Sequence, residues 1–152
     1  MQFINEIPCD INKMTLIIFN NFHELVKYPI LKHNEQEIFN LLISPNKYFL
    51  CAVNNKKIVG YILCEIMHLD DGRNVLYISY LYVAPSWRNK KIGKQLLQKA
   101  ISYANGKHLD AVVLIADTDD DKVINFYMTK GFMHDLQLRR YDKYDVFSLQ
   151  LN

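Results

Sequence analysis

The sequence predicts a mixed α/β fold of the α+β kind, with about seven strands and about four helices around one sheet. Three observations carry this expectation. The apolar residues change period along the chain, from helix-like before Pro45 to strand-like after Tyr48. Turn signals at Asn54-Asn55-Lys56 and Asp70-Asp71-Gly72-Arg73 cut the middle stretch into a three-strand meander. A helix, a buried-type strand, a second helix and two closing strands then follow. The resulting order is β-α-α-β-β-β-α-β-α-β-β.

Each element has a local reason. Met1 to Ile7 reads as a short first strand. Asp10 caps a helix running to about Tyr28, with Met14, Ile17, Ile18, Phe22 and Leu25 facing inward, and Pro29 ends it. Asn34 with Glu37 resembles a capping box, and Ile38, Leu41 and Leu42 give a second short helix its apolar side before Pro45. Tyr48–Val53, Lys57–Met67 and Val75–Val83 are the meander strands. An amphipathic helix from about Trp87 presents Ile92, Leu96, Leu97, Ile101 and Ala104, and Asn105-Gly106 stops it. Ala111–Ala116 is a buried-type strand. Thr118-Asp119-Asp120-Asp121 caps a helix lined by Val123, Ile124, Phe126 and Tyr127, which Gly131 ends. Phe132–Tyr141 and Tyr144–Leu151 read as closing strands around Asp142-Lys143.

Bulk properties bound the function. A chain of 152 residues fits a single domain over 1–152 that buries a core without staples. Net charge is only +2, which argues against a nucleic-acid partner, so any basic effect is local. The longest apolar run, Val75 to Pro85, is too short to span a bilayer. Glu6, Pro8 and Asp10 interrupt the apolar stretch a signal peptide needs. The expectation is a soluble cytoplasmic protein without a membrane partner. Cys9, Cys51 and Cys64 have no metal-type spacing and read as buried thiols of a reducing compartment; no metal is expected.

The most telling stretch is Arg88-Asn89-Lys90-Lys91-Ile92-Gly93-Lys94. It leads from a strand into a helix start, where backbone N–H groups lack intrahelical partners and the dipole favours an anion. Arg88, Lys90, Lys91 and Lys94 add positive charge that is unfavourable there without an anion. The expected ligand carries a pyrophosphate. A solvated basic helix face is the bland alternative.

Tyr82-Val83-Ala84-Pro85-Ser86-Trp87-Arg88-Asn89-Lys90-Lys91-Ile92-Gly93-Lys94 is similar to the acetyl-CoA signature of the GCN-related N-acetyltransferase (GNAT) superfamily. Asn125-Phe126-Tyr127-Met128-Thr129-Lys130-Gly131-Phe132 resembles the family's second signature, a Tyr four residues before Gly-Phe. Both occur in order on fitting elements. The resemblance implies a central, mostly antiparallel sheet and transfer of the acetyl group of acetyl-CoA to a primary amine, by direct attack in a ternary complex. The amine belongs to a small molecule or to a protein N-terminus or lysine. Family members occur as monomers and homodimers. One departure is visible: Lys91 stands where the family has its first glycine, and only Gly93 keeps the second. Lys91 either adds attraction for phosphate or crowds a turn that needs φ > 0.

By the same resemblance, backbone groups at Leu81, Tyr82 and Val83 contact the oxyanion and pantetheine. Asn89, Ile92 and Gly93 join the basic residues at the diphosphate. Tyr127 is the general acid, against the alternative of a packed helix tyrosine. Asp120 or Asn125 hydrogen-bonds the pantetheine arm, with plain capping an equal reading of Asp120. The family's usual Glu falls on Ser79 or Tyr80, so Glu65 and Asp117 are the possible bases. His68 reads as exposed. Ten tyrosines, Tyr28, Tyr141 and Tyr144 among them, are possible lining of an acceptor groove. Arg139-Arg140-Tyr141 with Tyr144 is loosely similar to the closing hairpin of protein N-terminal acetyltransferases.

Competing readings are a phosphate-loop NTPase and a dinucleotide fold. Gln95 stands where the first needs Ser or Thr, and the second lacks its triple-glycine turn. A GNAT-like domain that binds CoA or a partner without turnover is the serious alternative.

Overall fold

The period-two stretches become strands and the period-3.6 stretches helices in a computed structural model that describes residues 1–22 and 34–151. The order is β1 (Gln2–Ile4), α1 (Ile11–Phe22), α2 (Glu35–Leu42), β2 (Lys47–Asn54), β3 (Lys57–His68), β4 (Asn74–Val83), α3 (Ile92–Gly106), β5 (Ala111–Asp117), α4 (Asp121–Met128), β6 (Met133–His134) and β7 (Tyr144–Gln150). The strands hydrogen-bond in the order β1-β2-β3-β4-β5-β7-β6. Pairing is antiparallel for β1–β2, β2–β3, β5–β7 and β6–β7, and parallel for β4–β5.

The chain divides into two compact units. The first comprises Met1–Glu65 and Ser79–Ala100. Its core joins Met14 and Ile18 of α1, Ile38, Leu41 and Leu42 of α2, and Phe49, Cys51, Tyr61 and Leu63 of the strands. The expected cap of α2 is present: Asn34 Oδ1 accepts from the Glu37 N–H at 2.9 Å. On α3, Ile92, Leu96, Leu97 and Ala100 are buried.

The second unit comprises Ile66–Ile78 and Ile101–Asn152. Val75, Ala111, Val113 and Val146 form a cluster on its strands, with Leu69, Tyr77, Ile115 and Leu138 packed against it. Its buried ion pair joins Arg73 to Asp135 through two hydrogen bonds of 2.8 and 3.0 Å. Asp135 also accepts from Ser148 Oγ at 2.6 Å and the Leu138 N–H at 2.9 Å. Burial works to raise this carboxyl, but Arg73, Ser148 and Leu138 outweigh it and hold it at about 2.

Several sequence expectations are corrected. The strand expected over Phe132–Tyr141 is reduced to Met133–His134. Asp135 turns the chain out of the sheet, because its carboxylate binds Arg73, Ser148 and the N–H groups of Gln137 and Leu138. The helix expected from Trp87 starts at Ile92, after a 3-10 turn at Pro85–Trp87. Arg88 is extended, and Asn89 and Lys91 take positive φ, so no helix passes through them. Cys51 and Cys64 are buried, but Cys9 is half-exposed. Burial pushes the Cys51 thiol up to about 12 and raises the Cys64 thiol too. Leu25, Tyr28 and Pro29 lie outside the described residues. Among the described residues, no helix is long and apolar enough to cross a membrane.

Candidate functional site

In the first unit, the chain leaves β4 through a turn fixed from several sides. The β2–β3 register slips at Ala52/Val53, so Val59 sits in a bulge between Ile58 and Gly60. The Val59 carbonyl accepts from the Ala84 N–H at 2.8 Å, which ties the end of β4 to β3. Arg88 Nε donates to the Val83 carbonyl at 2.8 Å, and its guanidinium lies 5.8 Å from the Tyr82 ring centroid. Lys90 Nζ lies 5.0 Å over the Trp87 ring. Two of the four basic side chains are therefore engaged within the turn itself.

The backbone there has an unusual shape. Asn89 and Lys91 adopt φ of 63° and 65°, on either side of Lys90. Turns in which residues of opposite hand alternate present successive N–H groups that together bind anions. This turn leads into α3, whose first intrahelical bond is Gln95 N–H to Lys91 C=O at 3.1 Å. The N–H groups of Ile92, Gly93 and Lys94 precede that bond and have no partner within the helix. Lys91 takes the left-handed conformation with a side chain, which costs about 1–2 kcal/mol there. Arg88, Asn89, Lys90 and Lys91 are exposed, and Lys94 is half-buried.

Gly60 was missed by the sequence reading. A Cβ at this position would lie 2.9 Å from the Tyr82 carbonyl oxygen, 3.4 Å from Leu96 Cδ1 and 3.5 Å from Ile92 Cγ2. The bare backbone of β3 thus admits both β4 and the first turns of α3. A glycine inside an apolar strand was the available signal. Next to it, Tyr82 stacks on Tyr61 at 5.5 Å between ring centroids, and Tyr61 accepts from Asn21 Nδ2 at 2.9 Å.

Glu65 lies at the end of this unit on β3, half-buried, opposite Lys47 in the β2–β3 ladder. His68 is exposed as expected and lies 2.7 Å from Asn74 through its Nδ1.

In the second unit, the turn from β5 into α4 places the other candidates. Asp117 accepts from the Asp119 N–H at 2.9 Å and lies 3.7 Å from Lys143 Nζ. Asp120 is the N-cap of α4, accepting from the Val123 N–H at 3.2 Å, which realises the capping alternative. Tyr127 is buried, its ring edge-on to Phe126 at 5.1 Å and Phe132 at 5.4 Å. The Phe132 N–H donates to the Tyr127 carbonyl at 3.1 Å, so Gly131, at φ 95°, folds Phe132 back onto the helix. An open groove of about 480 Å³ runs along α4, lined by Asp121, Lys122, Ile124, Asn125 and Met128. Tyr141 and Tyr144 differ: the first is exposed, the second buried.

The family model described as the acetyltransferase (GNAT) family matches residues 15–132. The chain belongs to the GNAT family. Among curated GNAT relatives, an uncharacterized N-acetyltransferase of Methanocaldococcus jannaschii is 33% identical over 87 residues, 56% of this chain and 38% of the relative. N-alpha-acetyltransferase 30 of Saccharomyces cerevisiae is 31% identical over 110 residues, 66% of this chain and 61% of the relative. The matches thus span less than two thirds of either relative's length. Among solved structures, Arabidopsis thaliana NAA60 in complex with a bisubstrate analogue superposes with a TM-score of 0.73 over 99% of this chain and 98% of that one, at 17% identity. That likeness is one of fold. The GNAT match ends at Phe132, so the segment from Met133 onward lies outside it.

Proposed function

We propose that this chain is an acetyl-CoA-dependent N-acetyltransferase that acts on a primary amine by direct attack in a ternary complex. One observation carries the reading: the turn with left-handed Asn89 and Lys91 leads into the N–H groups at the start of α3, which have no partner within the helix. Those groups suit a diphosphate, and Lys91 and Lys94 add charge to them. Arg88 holds the turn through the Val83 carbonyl. The α4 groove offers amide and apolar surface, from Asn125 to Ile124 and Met128, in keeping with a pantetheine arm.

When bound, acetyl-CoA supplies the thioester. The N–H groups of Leu81, Tyr82 and Val83 are the proposed contacts for its carbonyl and pantetheine amides. The parallel β4–β5 ladder runs over Val75–Tyr77 against Ala111–Val113, and these residues lie beyond it on β4. Tyr127 keeps a phenolic proton for the departing thiolate. The attacking amine must lose a proton, since an alkylammonium has a pKa near 10. Glu65 is favoured for this role, through water, over Asp117, whose carboxylate already holds the β5–α4 turn. The assembly is read as one domain over 1–152, acting as a monomer or homodimer in the cytoplasm.

The test is a thermal titration with acetyl-CoA. Saturation to 100-fold above Kd adds about 2.7 kcal/mol, which raises Tm by roughly 5–10 °C for a chain of this size. Thiol release over a panel of amines then identifies turnover. An unmoved Tm refutes the binding reading. A raised Tm with no released thiol favours the alternative of a silent CoA-binding domain.

A further inference from the structure

The peptide that joins Val83 to Ala84, where β4 ends, is held at both of its polar ends. Its N–H, on Ala84, donates to the Val59 carbonyl in the β3 bulge at 2.8 Å. Its carbonyl, on Val83, accepts from Arg88 Nε at 2.8 Å. One residue earlier, the Tyr82 ring stacks on Tyr61 at 5.5 Å and lies 5.8 Å from the Arg88 guanidinium. Tyr61 accepts in turn from Asn21 of α1 at 2.9 Å. All of these groups belong to the first unit.

Arg88 differs from the lysines that follow it. Its Nε–H, the donor nearest its stem, is spent on a carbonyl five residues back in the chain. Its own backbone N–H turns back to the Pro85 carbonyl at 3.3 Å, so main chain and side chain both reach into the segment before it. Lys91 and Lys94, by contrast, stand at the first turn of α3. A charge-assisted hydrogen bond is strong and directional, so Arg88 fixes the orientation of the Val83 carbonyl. The residues tied in this way, Tyr82 and Val83, are the ones the acetyl-transfer reading sets against the thioester.

We propose that Arg88 is a positioning residue for acyl transfer: it sets the end of β4 through the Val83 carbonyl and is not a ligand of the diphosphate. The inference rests on the acetyl-transfer reading and divides the basic turn by task. Lys91 and Lys94 supply charge to the anion, and Arg88 supplies geometry to the reacting carbonyl. Misplacing a reacting group by about 1 Å costs up to about 100-fold in rate, and it does so whether or not the substrate carries phosphate.

Two substitutions separate the roles. Arg88→Gln places its amide Nε2 as many bonds from Cα as the arginine Nε, so it keeps the donor and loses the charge. Arg88→Lys keeps the charge and puts a methylene where the donor stood. Thiol release is measured at saturating amine with acetyl-CoA and with S-acetylpantetheine, a thioester without phosphate. Arg88→Ala and Arg88→Lys lower kcat/KM about tenfold, by the same factor on both thioesters, while the acetyl-CoA Kd stays within about twofold of wild type. Arg88→Gln stays within about twofold of wild type on both. A loss confined to acetyl-CoA, shared by Ala and Gln and spared by Lys, makes Arg88 a phosphate ligand and overturns the proposal. So does a wild-type rate in Arg88→Ala. Hydrogen exchange of the unliganded protein reads the same contact without turnover. The Ala84 amide exchanges about tenfold faster in Arg88→Ala and Arg88→Lys, and at the wild-type rate in Arg88→Gln. Equal Ala84 exchange in every variant overturns the proposal whether or not any amine is acetylated. If Arg88→Ala fails to fold, the Gln and Lys variants carry the comparison. A wild type that binds no acetyl-CoA sinks the acetyl-transfer reading, and the role of Arg88 with it, but leaves the exchange pattern intact, so the two failures are told apart.

Discussion

Lys91 carries two effects that substitution can separate. Its φ of 65° places a β-carbon in the left-handed region, at a cost of about 1–2 kcal/mol. Glycine removes that cost but adds about 0.5–1 kcal/mol of unfolded-state entropy. Lys91→Gly should therefore gain about 0.5 kcal/mol, raising Tm by roughly 1–2 °C. Lys91→Ala keeps the β-carbon and gains nothing. Charge behaves differently, because both variants remove the same cation. An exposed lysine beside a phosphate is worth up to about 1 kcal/mol at low ionic strength, so both variants weaken acetyl-CoA binding about two- to fivefold there. The deficit shrinks at high salt, where exposed charges are screened. Paired melting curves and calorimetry at two salt concentrations read these effects independently. A Lys91→Gly protein that melts no higher than Lys91→Ala refutes the backbone argument. Acetyl-CoA affinities that match wild type at low salt refute the electrostatic one.

Three further outcomes are expected. Tyr127→Phe keeps acetyl-CoA binding and lowers turnover by about 100-fold; unchanged turnover at saturating substrates removes the acid role. Gly60→Ala forces a β-carbon to 2.9 Å from the Tyr82 carbonyl, so it should lower Tm and weaken acetyl-CoA binding together; a full-affinity variant shows that α3 is not positioned there. Asp135, held at about 2 against an ordinary 3.8, contributes about 2 kcal/mol of stability above pH 4. Because the folded value is the lower one, that contribution is lost as pH falls from about 4 toward 2. Denaturant titrations should show this acid limb in wild type and a flatter one in Asp135→Asn.

Elements whose signal is local were legible in the chain. Ile92, Leu96, Leu97 and Ala104 repeat at helical spacing, and all four are buried on α3. Asn34 and Asp120 announced their caps by residue type alone. The start of α3 was read too early because Arg88 to Lys91 carry no apolar period, and a left-handed Lys cannot be inferred from composition. The long strand after Phe132 failed for a different reason. Asp135 is captured by Arg73 and Ser148, and a partner so distant in sequence leaves no local trace. The basic turn and Tyr127 were each visible as motifs. Gly60 was visible only as a letter, since its meaning lies in what approaches it.

The cysteines make the chain a quiet background for its own assay. A colorimetric disulfide dye that reports free CoA also titrates accessible protein sulfur. Two of the three sulfurs are sealed inside the fold and stay protonated, leaving Cys9 as the half-open one. Slow appearance of additional dye-reactive sulfur would therefore report opening of the core, so a single cuvette can follow catalysis and unfolding on separate timescales.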